Sequence, residues 1–505
     1  MRDGLKLLRY FLLFLSLHLS IVIYGKEVYY PKREFRGAWI QAVNGQFEGI
    51  PTATLKKELI NQLDSLYCCG INAVIFQVRV EGDALYNSEI EPWSRYLTGM
   101  QGRAPDQEWD PLRFMIKECH NRGMELHAWI NPFRAKTKTT VQFASNHQYM
   151  LYPERFVRFG DLTLFNPALQ ENRDFICSIV EDIVLRYDVD GIHIDDYFYP
   201  YPEGNLVFND EKDFQRNPRG FKNKADWRRD NVNIFIAQLS ETVKKAKPWV
   251  KFGISPFGIY RNASISYPKG SYTAGFENYS GLYADVLLWI ERNWIDYCIP
   301  QIYWNVGHPS ADYSTLIEWW AENAGDCPMY IGQDVERTVN GVDPLIFGQN
   351  QERLKMNMQR SLHSVMGSCQ WYAKLVVDNI EDYRTVLKEE YYVYPSLQPL
   401  SPSLPKDEPG KVRKIRRVET ATGPVLFWTS PKSKGEADTA NQYVVYCFEK
   451  GETVDIDNPA NIVAIVNRTF FPLPTEINGV SRTYVVTALS RVQVESQPVK
   501  CKIKF

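Results

Sequence analysis

Neither sign of charge prevails in this chain: 58 Lys and Arg stand against 60 Asp and Glu over 505 residues, a formal charge of −2. Without a basic excess there is no electrostatic footprint for nucleic acid. Beyond the N-terminal segment no run approaches 18 unbroken apolar residues, so no membrane span is expected there. Nine cysteines are present, yet they form no CxxC pair and no Cys/His cluster at zinc spacing, which argues against a structural metal. Cys68, Cys69, Cys119, Cys177, Cys298, Cys327 and Cys369 sit among apolar neighbours and read as free buried thiols. No GxGxxG or Walker loop follows any strand, and no GxSxG elbow or Cys/His nucleophile motif occurs. These absences count against dinucleotide chemistry and against hydrolysis of esters or peptides, and no cofactor is expected.

What is present looks globular. Hydrophobic residues at 44% and charged residues at 23% exclude wholesale disorder, and the length calls for two or three domains. Thirteen Trp, 30 Tyr and 26 Phe fit flat faces for sugar rings, and equally a large β-rich core. At the N-terminus, Arg2, Lys6 and Arg9 precede an apolar run from Phe11 to Tyr24, then Gly25 and Lys26. That pattern reads as a secretory signal over 1–25, and the lack of Cys before Cys68 argues against a lipid anchor. The expectation is an exported, soluble protein, periplasmic or associated with the cell surface.

From Phe35 onward, short β-rich runs alternate with helical stretches. The runs are 35–43, 71–80, 124–132, 189–197, 250–258, 295–304, 328–335 and 367–374. Helical patterns follow near 55–69, 111–122, 169–186, 226–246, 281–293, 312–324, 350–364 and 379–389. Eight such units predict an α/β fold, a (β/α)8 TIM barrel over residues 26–390. A Pro- and Ser-rich stretch, 391–411, reads as a semi-rigid linker. Residues 412–505 are short strands between polar turns, the pattern of a small all-β sandwich, with Trp428 early and Tyr484 late as in a fibronectin type III-like module.

Barrel enzymes carry their chemistry at the C-terminal strand ends, and these ends are polar here. The fourth strand ends in Asp195-Asp196, adjacent carboxylates that disfavour each other's ionised form and so raise one pKa. A raised carboxyl beside an ionised one is the acid/base pair that glycoside hydrolysis uses. A helix cap, a structural ion pair or a metal ligand is the plainer reading of Asp196. Glu81 and Asp83, after the second strand, are candidates for the second carboxylate across the cleft, with Arg79 orienting it and Gly82 allowing a ligand close to the backbone. His127, Asn131 and Arg134 offer hydrogen bonds to a sugar, although a His on a buried strand is more often a core residue. Tyr197, Tyr303 and Trp304 offer stacking faces and Gln301 a polar strand end; long loops at 81–110, 132–168, 196–225 and 257–280 suit an extended polymer.

The stretches FRGAWI, INAVIFQVR, EPWSRYLTG, DPLRFMIKECHNRGMELHAWINPFR, VDGIHIDDYFYP, FGISPFGIYRN and DYCIPQIYW go further. Collinear over about residues 34–390, they resemble glycosyl-hydrolase-like family 10, and the trailing type III module looks like an arrangement found in Bacteroidetes. The resemblance implies a TIM-barrel glycosidase whose relatives act on bacterial cell-wall glycan strands stripped of stem peptides. By motif match Asp195 and Asp196 fall on the family's paired aspartates, and Asn131, Arg134, Gln301 and Tyr303 on its cleft motifs. Glu81 and Asp83 fall where the family carries an acid at one place or the other. The expected activity is hydrolysis of a β-linked amino-sugar polymer, most simply peptidoglycan glycan strands. The rivals are a non-catalytic glycan-binding barrel and a hydrolase of a dietary or host polysaccharide. The expected partner is the glycan alone, with no nucleic acid and no stable membrane insertion; the oligomeric state stays open.

Overall fold

The computed structural model describes residues 29–475 and 479–505; the segment read as a secretory signal lies outside the described residues. Eight parallel strands close into a barrel: β1 (Phe35–Ile40), β2 (Ala73–Arg79), β3 (Glu125–Ile130), β4 (Gly191–Ile194), β5 (Lys251–Ile254), β6 (Tyr297–Cys298), β7 (Met329–Asp334) and β8 (Val365–Trp371). They hydrogen-bond in chain order, and β8 returns to β1 through pairs such as Gly37 with Cys369. Seven of the eight lie inside the runs read from sequence, and β8 starts two residues before its run. β6 is short because Pro300 has no N–H to give the ladder. Pairing resumes past it, where Gln301 bridges to Phe257 and Gly332.

Helices α1 (Thr52–Cys68), α2 (Pro111–Asn121), α3 (Gln170–Arg186), α4 (Lys224–Ala246), α5 (Val286–Glu291), α6 (Tyr313–Glu322) and α7 (Glu352–Ser361) belong to the crossovers between strands. α1 shows why: Leu55, Leu59, Leu63 and Leu66 recur at helical spacing and are all buried. α2 starts where the Asp110 carboxylate accepts the Arg113 N–H at 3.0 Å and Pro111 fills the first turn. The segment 132–168, read as a long loop, contains a small antiparallel sheet of Arg134–Lys136, Phe156–Phe159 and Leu162–Phe165.

Alternation along the strands sends one set of side chains inward. Phe35, Ile75, Tyr297, Tyr330 and Cys369 form the apolar part of that interior. Below the mouth lies a polar seam. Lys251 pairs with Glu125 at 2.7 Å, Glu125 bonds His127 at 3.0 Å, and the Tyr297 hydroxyl bridges His127 (2.7 Å) and His193 (3.1 Å). Two glycines make room for these rings: a Cβ at Gly253 would lie 2.1 Å from Tyr297, and one at Gly191 would lie 2.8 Å from His127.

Among the described residues the C-terminal region holds seven strands, β9 (Arg413–Thr420), β10 (Gly423–Thr429), β11 (Ala440–Phe448), β12 (Ile462–Val466), β13 (Phe470–Pro472), β14 (Ser481–Ser490) and β15 (Val499–Lys504). They form two antiparallel sheets, ordered β9-β10-β13 and β12-β11-β14-β15. Leu426 and Trp428 from one sheet meet Tyr443, Tyr484 and Val486 from the other in a common core. The opposite face of the four-stranded sheet packs on Leu397, which also pairs with Arg33 beside β1. Further contacts tie this region to the ends of the barrel where strands begin: Gln442 donates to the Gly123 carbonyl (2.9 Å), Arg491 pairs with Asp188 (2.7 Å), and Lys32 pairs with Glu495 (2.6 Å). Among the described residues no helix is long and apolar enough to cross a membrane, and no group of three His, Cys, Asp or Glu stands ready for a metal.

Candidate active site

Asp195 follows β4 directly. Gly191 and His193 of that strand face the barrel interior, so the period of two turns Asp195 inward at the top of the same column. Its Oδ2 accepts the Trp129 indole N–H at 3.0 Å, and its Oδ1 faces the Tyr197 amide at 3.4 Å. Burial first, and then the neighbouring Asp196, push the Asp195 carboxyl up to about 7, against the opposing pull of Arg134 and Trp129. Burial also raises Asp196, which the Tyr201 hydroxyl and the Gln301 amide draw back down.

Around the pair, β3, β6 and β8 supply the walls. The Arg134 guanidinium lies 4.0 Å from the centre of the Tyr197 ring, and the Arg134 amide donates to Asn131 Oδ1 at 3.0 Å. Asn131 itself is buried, and its Nδ2 has no partner. Trp371 packs edge-on against Trp39 (6.0 Å) and Trp129 (6.1 Å) and stacks near Tyr303 (6.4 Å). Gln301 donates to the Ser255 carbonyl at 2.7 Å, which holds β6 to β5 at the mouth. Trp304 is half-buried, edge-on to Phe257. The structure therefore gathers Asp195, Asp196, Arg134, Tyr197 and Gln301 into one group, with Tyr303 stacked on its Trp371 wall. Trp371 joins them from the end of β8, and so do Trp129 and Tyr201, which had not been singled out in the sequence. Trp129 was accessible to the alternation rule, since it lies two residues before Asn131 on the inward face.

Other expected site residues lie elsewhere. Glu81 is fully buried and saturated: Arg95 holds it through two bonds (3.0 and 3.1 Å), and Thr137 (2.7 Å), Thr140 (3.0 Å) and Tyr96 (3.0 Å) donate to it. Burial alone would raise its carboxyl, yet these donors outweigh it and hold Glu81 below the usual range. Asp83 has no exposure either. It accepts the Gln101 amide and the Glu81 N–H, both at 3.1 Å, and burial together with Glu81 raises it. Neither acid is presented to the cleft. Arg79 pairs with Glu91 through two bonds of 2.8 and 2.7 Å, both side chains fully buried, and donates to the Asn131 and Pro132 carbonyls. It braces β2 against β3 and is turned away from a ligand. The close approach at Gly82 is to the His147 and Phe165 rings. His127 has no exposure and both ring nitrogens are engaged in the polar seam, so it supports the barrel from below the mouth.

A family model described as glycosyl hydrolase-like 10 matches residues 34–343. Glycosyl hydrolase YngK of Bacillus subtilis (strain 168) is 36% identical over 478 residues, covering 93% of this chain and 93% of that protein. Glycosyl hydrolase DigH of Escherichia coli (strain K12) is 41% identical over 277 residues, covering 53% of this chain and 62% of that protein. Among solved structures, alpha-L-fucosidase isoenzyme 2 from Paenibacillus thiaminolyticus overlays with a TM-score of 0.45 and 14% identity, over 71% of this chain and 49% of that one.

Proposed function

The chain belongs to the glycosyl hydrolase-like 10 family, and from that premise we propose that it is an exported glycosidase that cuts a β-linked amino-sugar polymer, with peptide-stripped peptidoglycan strands as its substrate. The observation that carries the reading is Asp195: an inward carboxyl at the top of the barrel, raised to about 7 and held by Trp129 beside a second carboxylate. A carboxyl with that pKa is still half protonated near neutral pH, as a general acid for the glycosidic oxygen must be. Asp195 donates the proton, Asp196 stands beside the reacting sugar as the second carboxylate, and Tyr197, Tyr303 and Trp304 receive the sugar faces. Arg134 supplies donors to ring hydroxyls, and the buried Asn131 positions it through Oδ1.

Export from a signal at 1–25 and a site of action in the periplasm or at the cell surface complete the proposal. The C-terminal region is proposed to be a fibronectin type III-like module, on the support of its three- and four-stranded sheets and the Trp428 and Tyr484 core. It serves as a docked support for the barrel.

The test is mass spectrometry of purified peptidoglycan strands, with and without stem peptides, after incubation with residues 26–505 or with the same chain carrying Asp195→Asn. Shortened strands from the wild-type chain alone support the proposal, and preference for stripped strands supports the substrate. Binding without cleavage by both chains returns the non-catalytic reading.

A further inference from the structure

Protonating the leaving oxygen is half of glycoside cleavage; something must also attack C1 or activate water from the far side of the ring. Two carboxylates that divide this work flank the bond, about 5–5.5 Å apart for retention and about 6.5–9.5 Å for inversion. Asp195 and Asp196 are consecutive, with Cα atoms about 3.8 Å apart, so they stand on one side of the mouth. The five residues that follow each of β1, β3, β5, β6 and β8 include no carboxylate. After β2, Glu81 and Asp83 are fully buried and bound to other groups. At the end of β7, Asp334 accepts the Arg337 amide at 2.9 Å, caps the helix Val335–Asn340, and faces the Arg337 guanidinium at 3.5 Å.

We infer that the nucleophile belongs to the substrate: the carbonyl oxygen of a 2-acetamido group on the sugar whose bond is cut, oriented by Asp196 and walled by Trp129, Trp371 and Tyr303. This rests on the glycosidase reading. In the first step the acetamido oxygen forms a bond to C1 while the bond from C1 to the glycosidic oxygen breaks. That oxygen takes the Asp195 proton, and Asp196 takes the amide proton, leaving a neutral oxazoline. In the second step water adds to C1 and gives a proton to the Asp195 carboxylate. The oxazoline C1–O bond breaks, and Asp196 returns its proton to nitrogen. The sum is one glycoside and one water converted to a hemiacetal and an alcohol, with both carboxyls restored. Attack from the rear requires the acetamido group trans to the leaving oxygen, which fits a β-linked 2-acetamido sugar and gives retention. The indole and phenol faces beside Asp195 present apolar surface to the acetyl methyl.

The experiment compares the full chain on glycan strands that are N-acetylated, chemically de-N-acetylated, and de-N-acetylated then re-acetylated, with the anomer of the first product read by NMR. The expected result is at least a 100-fold loss of rate on removing the acetyl groups, recovery on restoring them, and a β product. Inhibition by a thiazoline analogue of N-acetylglucosamine should follow. Asp334→Asn, checked for an unchanged melting temperature, should keep its rate within about threefold. Equal rates on de-N-acetylated strands, an α product, or a glycosyl-enzyme trapped on a protein carboxylate overturns the inference while leaving a glycosidase. No cleavage of any strand overturns the glycosidase reading and this inference with it.

Discussion

Asp195 owes its chemistry to two effects that add: removal from water and the charge next door. Arg134 opposes both, so replacing it should move the group further from its ordinary value. In Arg134→Met the alkaline limb of kcat/KM should rise above that of the wild-type chain, which should fall as pH climbs through about 7 because the acid loses its proton there. A limb that stays in place with only KM changed would remove Arg134 from the electrostatics of the site. Asp195→Asn should lose about 10²–10⁴-fold in rate yet retain the glycan, as measured by released reducing ends and by equilibrium binding. Away from the mouth, Glu352 at the start of α7 is 1% exposed, and neither carboxylate oxygen has a partner. Burial pushes its carboxyl up to about 9, so the folded chain holds a proton that the unfolded chain releases near 4.5. Its stabilising contribution is therefore full below 4.5 and is lost as pH rises toward 9. Glu352→Met should raise the unfolding free energy at pH 8 by about 2 kcal/mol and change it little at pH 4, seen in urea titrations at the two values.

At the scale of strands and helices, the barrel interior depends on where side chains are missing. A methyl group at Gly253 would fall inside the Tyr297 ring, which is fixed by His127 and His193. Gly253→Ala should cost about 3 kcal/mol or more in denaturant titration, at the upper end for overpacked cores. Local pattern carried most of this architecture, because runs such as INAVIFQVRV and the Leu55–Leu66 stripe state their period within one element. The small sheet between β3 and β4 was invisible, since strands of three or four residues such as RAK and FVRF are too short to show a period. The site divided along the same line. Asp195-Asp196 could be read because a strand end announces itself. Whether Glu81 faces a cleft or a lattice of donors depends on Arg95, Thr137 and Thr140, which arrive from 14, 56 and 59 residues away and leave no local signal. Arg79 and Glu91 meet in the same way, from 12 residues apart.

Taken whole, the molecule has one working face and one supported face. Asp195, Gln301 and Trp371 lie where strands end, whereas Gly123, Asp188 and Lys32, which touch the C-terminal sheets, lie where strands begin. The C-terminal region therefore docks at the end of the barrel opposite Asp195. The Arg491–Asp188 pair is partly exposed, at 25% and 48%, and is worth at most about 1 kcal/mol. Leu397 is different: 1% exposed, it packs against Val444, Tyr446, Phe448, Val485 and Leu489 and pairs with Arg33 next to β1. An apolar side chain buried between two units couples their unfolding more strongly than rim charges do. Calorimetry of the whole chain should accordingly give one transition. Leu397→Asp puts an unpaired carboxylate into that contact and should split the melt into two, barrel and sheets separating, while the rate on glycan strands stays within about twofold. A single undisturbed transition in that variant would mean that the polar contacts hold the two units together; a lost rate with the melt split would mean that the supported face reaches the mouth after all.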